Sequence, residues 1–139
     1  GDARINLERE APQGFDVLVL DAFSSDSIPA HLLTLEAGRL YLRHLGEDGI
    51  LAIHISNRHL DLDPVVRGLA DALGLVVARI DIDVSADVVW RSDWMLLARK
   101  ASVLAAPEIQ RAASAPPAAG PVYPLWTDTY SNLLHIFRG

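Results

Sequence analysis

Apolar residues fall in short runs separated by stretches at helical spacing. Phe15 to Leu20 is a run of Val and Leu with little polar alternation, the pattern of a strand buried on both faces of a parallel sheet. Ile50 to Ile55, Leu75 to Ile82 and Trp94 to Ala98 predict three more strands. Between them Ala37, Leu40, Tyr41 and Leu45 recur at helical spacing, with Thr34 as N-cap and Glu36 in the first turn. Gly46 and Gly49 are expected to bracket a turn. Asp63-Pro64 opens a further helix, because proline at the first helical position gives up no hydrogen bond. Val65, Val66, Leu69, Ala70 and Leu73 form its buried stripe, and Gly74 is the expected C-cap glycine. A first helix starts after Asp2 and runs through Glu10, ended by Pro12 and Gly14.

The order is therefore helix, strand, helix, strand, helix, strand, strand. That alternation predicts an α/β fold with helices on a parallel sheet. The third and fourth strands are joined by a polar stretch around Ser85-Ala86-Asp87 without a helix, so the last strand is expected to run antiparallel. The result is a partial doubly wound sheet, whose ligands sit outside the carboxyl ends of the strands. The loops Asp21–Ser27 and Ser56–His59 lie at that edge. Residues 101–124 are rich in Ala and Pro and read as a linker after a short helix at 107–113. The aromatic tail 125–139 is expected to dock back on the body.

Composition narrows the function classes. The chain has 139 residues, half of them hydrophobic, and a net charge of −6. This balance argues against a nucleic-acid partner, which would need a basic face. Without cysteines there is neither a disulfide framework nor a Cys-based metal site. No apolar run approaches the ~18 residues of a membrane span, and no signal peptide is visible, so a cytoplasmic location is expected. The opening Gly1-Asp2-Ala3-Arg4 reads as an internal segment, so the chain is expected to belong to a longer protein.

Asp21 and Asp26 are the leading candidates for chemistry. Two carboxylates on a loop of small residues can hold a cationic amine, and one can take its proton before attack. Capping of the loop and of the next turn is the alternative role for the pair, as N-capping is for Asp2. His54, inside a strand, reads as a hydrogen-bonded core histidine, and His59 is a weaker candidate at the ligand edge. No His pair has helical zinc spacing, and no metal site is expected. Ser24, Ser25 and Ser27 lack a Gly-x-Ser-x-Gly elbow, which speaks against a hydrolase. No phosphate-cradling glycine turn occurs. Trp90 to Trp94 could line a pocket mouth or simply pack at its rim.

The residues Asp16-Val-Leu-Val-Leu-Asp21, the Ser-Ser-Asp26 loop, Pro29, Glu36 to Leu42 and Gly49-Ile50-Leu51 resemble the spermidine/spermine synthase signature. Gly1-Asp2-Ala3-Arg4 is similar to that family's Gly-Asp-Gly/Ala turn. The stretch Asn57 to Pro64 and the strand ending Leu97-Ala98-Arg99-Lys100 follow the family's order. The tail from Trp126 to Leu134 looks like the ending of bacterial spermidine-synthase-like proteins, some of which carry a transporter-like membrane region. The resemblance covers nearly the whole chain. It departs from the family's Asp-Ser-Ser-Asp-Pro loop, since Ala22-Phe23 intervene and Ser27 follows Asp26. Where the family has a Gln after the next strand this chain has the Ser56-Asn57 region, and near the expected Tyr of the last hairpin it has Trp90.

The resemblance implies the C-terminal half of a Rossmann-like, class I methyltransferase-like catalytic domain over residues 1–100. It implies aminopropyl transfer from decarboxylated S-adenosylmethionine, a co-substrate rather than a bound cofactor, to a diamine such as putrescine, releasing methylthioadenosine. Asp26 would be the general base and Asp21 its catalytic neighbour facing the substrate. Asp2, Ala3, Asp21 and Ala22 would contact the co-substrate, and Asp26, Asn57 and Trp90 the amine. The glycine motif would lie in a preceding half, so this part alone is expected to be inactive. Two other functions fit the same fold: an S-adenosylmethionine-dependent methyltransferase, and a non-catalytic polyamine-binding or regulatory domain. An apolar strand edge at 16–21 left without its neighbours invites pairing with a second copy, so a homo-oligomer is expected.

Overall fold

A computed structural model describes residues 3–21, 30–57, 60–84, 90–117, 122–132 and 136. In chain order come helix α1 (Ala3–Arg9), strand β1 (Phe15–Leu20), a 3-10 turn (Ala30–Leu32), α2 (Leu35–His44) and β2 (Leu45–His54). Then follow α3 (Asp63–Leu73), β3 (Val76–Val84), β4 (Trp90–Ala98), α4 (Ala101–Leu104) and α5 (Pro107–Ala112). The fold is α/β, with one mixed four-stranded sheet of order β1-β2-β4-β3. β1 and β2 are parallel, while β4 is antiparallel to both β2 and β3. Three strands therefore point one way, and the last strand returns between β2 and β3.

Local signals act as the sequence predicts. Thr34 Oγ1 accepts the Ala37 N–H at 3.2 Å, capping α2. Ala37, Gly38, Tyr41 and His44 form the buried stripe of α2. Pro64 sits in the first turn of α3, and Gly74 ends it with φ of 68°, a left-handed conformation that suits glycine. Val65, Val66, Leu69 and Ala70 are buried, and Leu73 packs against the core.

Three expectations are corrected. No separate turn divides α2 from β2: the strand begins at Leu45, and residues 46–49 form an irregularity where the register jumps from Phe15↔Leu45 to Val17↔Ile50. Arg99 stabilises this junction by donating to the carbonyls of Leu42 and Gly46 at 2.5 and 2.8 Å. β4 begins four residues earlier than the apolar run, because it pairs with β3 from Val84↔Trp90 onward. β1 is not buried on both faces. It lies at the end of the sheet, with Phe15, Val17 and Val19 36, 55 and 52% exposed, while Leu20 on the other face is buried.

The main core lies on that second face. Leu20, Leu51, Ile53, Met95 and Leu97 from the sheet cluster with Tyr41, Val65 and Val66 from α2 and α3. Trp126 and Ile136 belong to the same cluster. The Leu35 N–H donates to the Trp126 carbonyl at 2.8 Å, and the Asp61 N–H to that of Ile136 at 2.7 Å. Gly68 makes this crossing feasible: a Cβ there would stand 1.8 Å from the carbonyl oxygen of Pro124. Beyond α5, Ala113 bridges Ile80, and the Ser114 N–H donates to the Arg79 carbonyl. Among the described residues no helix is long and apolar enough to cross a membrane.

Candidate functional site

Parallel pairing brings the carboxyl ends of β1 and β2 level. Leu20 lies opposite Ile53, so the residues that follow, Asp21 and His54, stand side by side. Asp21 Oδ1 lies 2.8 Å from His54 Nδ1. The carboxylate is 56% exposed, whereas the imidazole is only 15% exposed. His54 is the last residue of β2 and pairs with Trp94 of β4. The two rings stack with centroids 4.7 Å apart and planes 30° from parallel.

β4 supplies the rest of the site because it runs opposite to β2 and starts at this edge. Side chains two apart on a strand share a face, which sets Ser92 beside Trp94. The Trp94 indole N–H donates to Ser92 Oγ at 2.9 Å. Ser92 Oγ also faces His54 Nε2, at a longer 3.4 Å. The constellation is thus carboxylate, imidazole, hydroxyl and indole in a row, ending at an exposed carboxylate that can receive a cation or a proton. Among the described residues no group of three His, Cys, Asp or Glu is placed to hold a metal ion.

A cavity of about 480 Å³ opens near the start of α1. Arg4, Glu8, His31, Thr34, Asp128 and Ser131 are in its lining. Its walls are fixed by Arg4, whose guanidinium donates to both oxygens of Asp128 and to the carbonyl of His31. The hydrogen bond to Asp128 is the largest cause holding the Arg4 pKa above its usual value. The same bond holds the Asp128 carboxyl down at about 2. Ala30 and His31 of the 3-10 turn and Thr34 at the start of α2 line one side of this cavity.

Of the residues singled out in the sequence, Asp21 stands at the carboxyl edge. Ala3 opens α1 and is exposed. Asn57 turns its Oδ1 to the Leu60 N–H at 3.0 Å, a loop-shaping contact. Trp90 begins β4 opposite Val84, and the expectation about its side chain lies outside the described residues, as do Asp2, Ala22, Asp26 and His59. His54 is the residue that the sequence reading placed differently. It is hydrogen-bonded as expected, but as the strand's last residue, partly exposed and bonded to the leading candidate, rather than within the core. The signal lies in the register of the two parallel strands, which sets Leu20 opposite Ile53 and which neither apolar run shows by itself. Neither a protein-family model nor a curated protein matches the chain.

Proposed function

We propose that the chain is the C-terminal half of a Rossmann-like aminopropyltransferase domain of the spermidine-synthase type, acting on a diamine such as putrescine. The observation that carries the reading is Asp21, a half-exposed carboxylate at the carboxyl end of a parallel strand. Ligands of open α/β sheets collect at that edge, and a carboxylate there suits a cationic amine. Three strands in one direction with an antiparallel last strand also accord with this fold. β1 is an end strand of the sheet, with a backbone edge at which a further strand could pair.

In this reading Asp21 faces the substrates and Asp26 removes a proton from the diamine nitrogen. The freed lone pair attacks the methylene carbon next to the sulfonium of decarboxylated S-adenosylmethionine. The carbon–sulfur bond breaks, its electron pair returns to sulfur, and methylthioadenosine leaves. The sulfonium is a good leaving group, so no metal is called for. Asp2, Ala3 and Ala22 would border the nucleoside, and Asn57 and Trp90 the amine. The domain would work in the cytoplasm, alone or attached to a transporter-like membrane region, and as a homo-oligomer.

The test supplies the full-length protein with decarboxylated S-adenosylmethionine and putrescine and follows methylthioadenosine. Release that depends on the amine and falls at least a hundredfold in Asp26→Asn is expected. No product with putrescine, cadaverine or spermidine would overturn the transferase reading. Methyl transfer from S-adenosylmethionine itself would replace it with a methyltransferase.

A further inference from the structure

We propose that His54 is a positioning residue that aims the Asp21 carboxylate at a cationic amine through a hydrogen-bond chain of fixed direction. The identity of the ligand rests on the function proposed above; the chain itself rests on geometry alone. An indole N–H can only donate. Trp94 Nε1 lies 2.9 Å from Ser92 Oγ, so the hydroxyl accepts there. The Ser92 proton is then available for His54 Nε2, 3.4 Å away. A neutral imidazole that accepts at Nε2 carries its own proton at Nδ1. That proton faces Asp21 Oδ1 at 2.8 Å.

The other end of the chain demands the same order. An ionised carboxylate only accepts, so Nδ1 must be the donor. Both ends therefore select one tautomer of His54. The stacked Trp94 ring holds the plane of the imidazole as well as supplying the first donor. Asp21 is held through Oδ1, and its side chain remains 56% exposed. The order of groups matches a Ser-His-Asp triad. Ser92 is a poor nucleophile, however, because the indole N–H draws on its oxygen and β4 offers it a strand rather than a strained turn. The chain orients a carboxylate instead of activating a hydroxyl.

Two measurements on the full-length protein separate this proposal from the transferase reading. The first is the histidine tautomer, read from long-range nitrogen–proton couplings after selective labelling, with the ring neutral. The Nδ1–H form of His54 is expected, and it should persist in Trp94→Phe, because the Asp21 carboxylate still requires a donor at Nδ1. An Nε2–H form would overturn the chain whatever reaction the protein performs. The second is steady-state kinetics on His54→Leu and His54→Asn. His54→Leu is expected to raise the KM for the amine about tenfold, the effect of losing one charge-assisted hydrogen bond. The KM for the sulfonium co-substrate should stay within about twofold of the wild type. His54→Asn, which keeps an N–H near the Nδ1 position, should recover most of the loss. Equal losses for both substrates, or no recovery by Asn, would mark His54 as structural only. Inactivity of the wild type toward every amine would sink the transferase reading and leave the tautomer to decide the chain.

Discussion

Arg4 grips both carboxylate oxygens of Asp128, at 2.8 and 2.5 Å, across 124 positions of sequence. Helix α1 has no fully buried residue; Leu7 packs partly buried against the core, and polar contacts hold the rest of the helix to the body. Thr34 Oγ1 donates to the same Asp128 at 2.8 Å, and the Asp128 N–H donates to Glu36 Oε2 at 2.9 Å. Asp128→Asn should lower stability by about 1 kcal/mol, a modest value because the carboxylate is 40% exposed and water screens it. The Asp128 carboxyl is held at about 2, against 3.8 ordinarily, first by the bond to Arg4. A depressed carboxyl stabilises the fold above its unfolded value and loses that contribution as pH falls through its folded value. The difference between wild type and Asp128→Asn in urea midpoint should therefore hold above about pH 4 and shrink toward pH 2.

Gly68→Ala tests how the tail crosses α3. The added methyl would stand 1.8 Å from the Pro124 carbonyl oxygen, and a backbone atom cannot swing aside as a side-chain tip does. A loss of about 1–3 kcal/mol is expected from forced overpacking. Trp126, now 1% exposed, should become more accessible as the tail lifts. Urea unfolding and a red shift of native fluorescence would report both effects. A variant as stable as the wild type, with unchanged emission, would show that the tail does not pass here.

Tyr41→Phe tests the turn that leads from the Asp21 loop into α2. The Tyr41 hydroxyl donates to the Leu32 carbonyl at 2.7 Å, and its side chain is almost wholly buried. Removing the donor leaves a buried acceptor without that partner, which costs about 1–2 kcal/mol. Thermal unfolding of the variant should show this, with the far-ultraviolet spectrum retained.

What could be read directly from the chain is what one turn of helix decides. Thr34 caps α2 and Asp63-Pro64 starts α3 because their partners lie within four residues. Gly74 ends α3 for the same reason. The antiparallel direction of β4 followed from a connection too short to hold a helix. The exposure of β1 did not show in its residues, because burial of a strand is decided by its neighbours. The same holds for the pairing of Arg4 with Asp128 and the passage of Pro124 over Gly68, which join distant segments. The Asp21–His54 contact belongs with these, since the register that sets Leu20 opposite Ile53 is decided by the pairing of the two strands.

Arg79 ties α3, β3 and β4 together. Its guanidinium donates to Asp63 and Asp81 at 2.8 Å each and lies 3.7 Å from Asp93. Asp63 is also held by Arg67, at 2.6 Å. Asp81 also accepts from the Ser114 hydroxyl at 2.9 Å. Asp93 is the costly one, since its side chain is 5% exposed. Arg79→Met should therefore destabilise by about 1–3 kcal/mol, by removing the guanidinium that Asp63 and Asp81 accept from and the positive charge beside the buried Asp93. Arg79→Lys should fall between, because one ammonium cannot reach carboxylates on several sides as a guanidinium does. Burial raises the Asp81 pKa, but hydrogen bonds from Arg79 and Ser114 more than offset this and leave it lowered. Its contribution is present above the ordinary carboxyl value of 3.8 and is lost as the solution is acidified below it. In Arg79→Met that loss should shrink, so the urea midpoint of the variant should fall less between pH 5 and pH 3 than that of the wild type, by about the share Arg79 contributes. An identical pH dependence in both proteins would show that Arg79 does not hold Asp81 ionised.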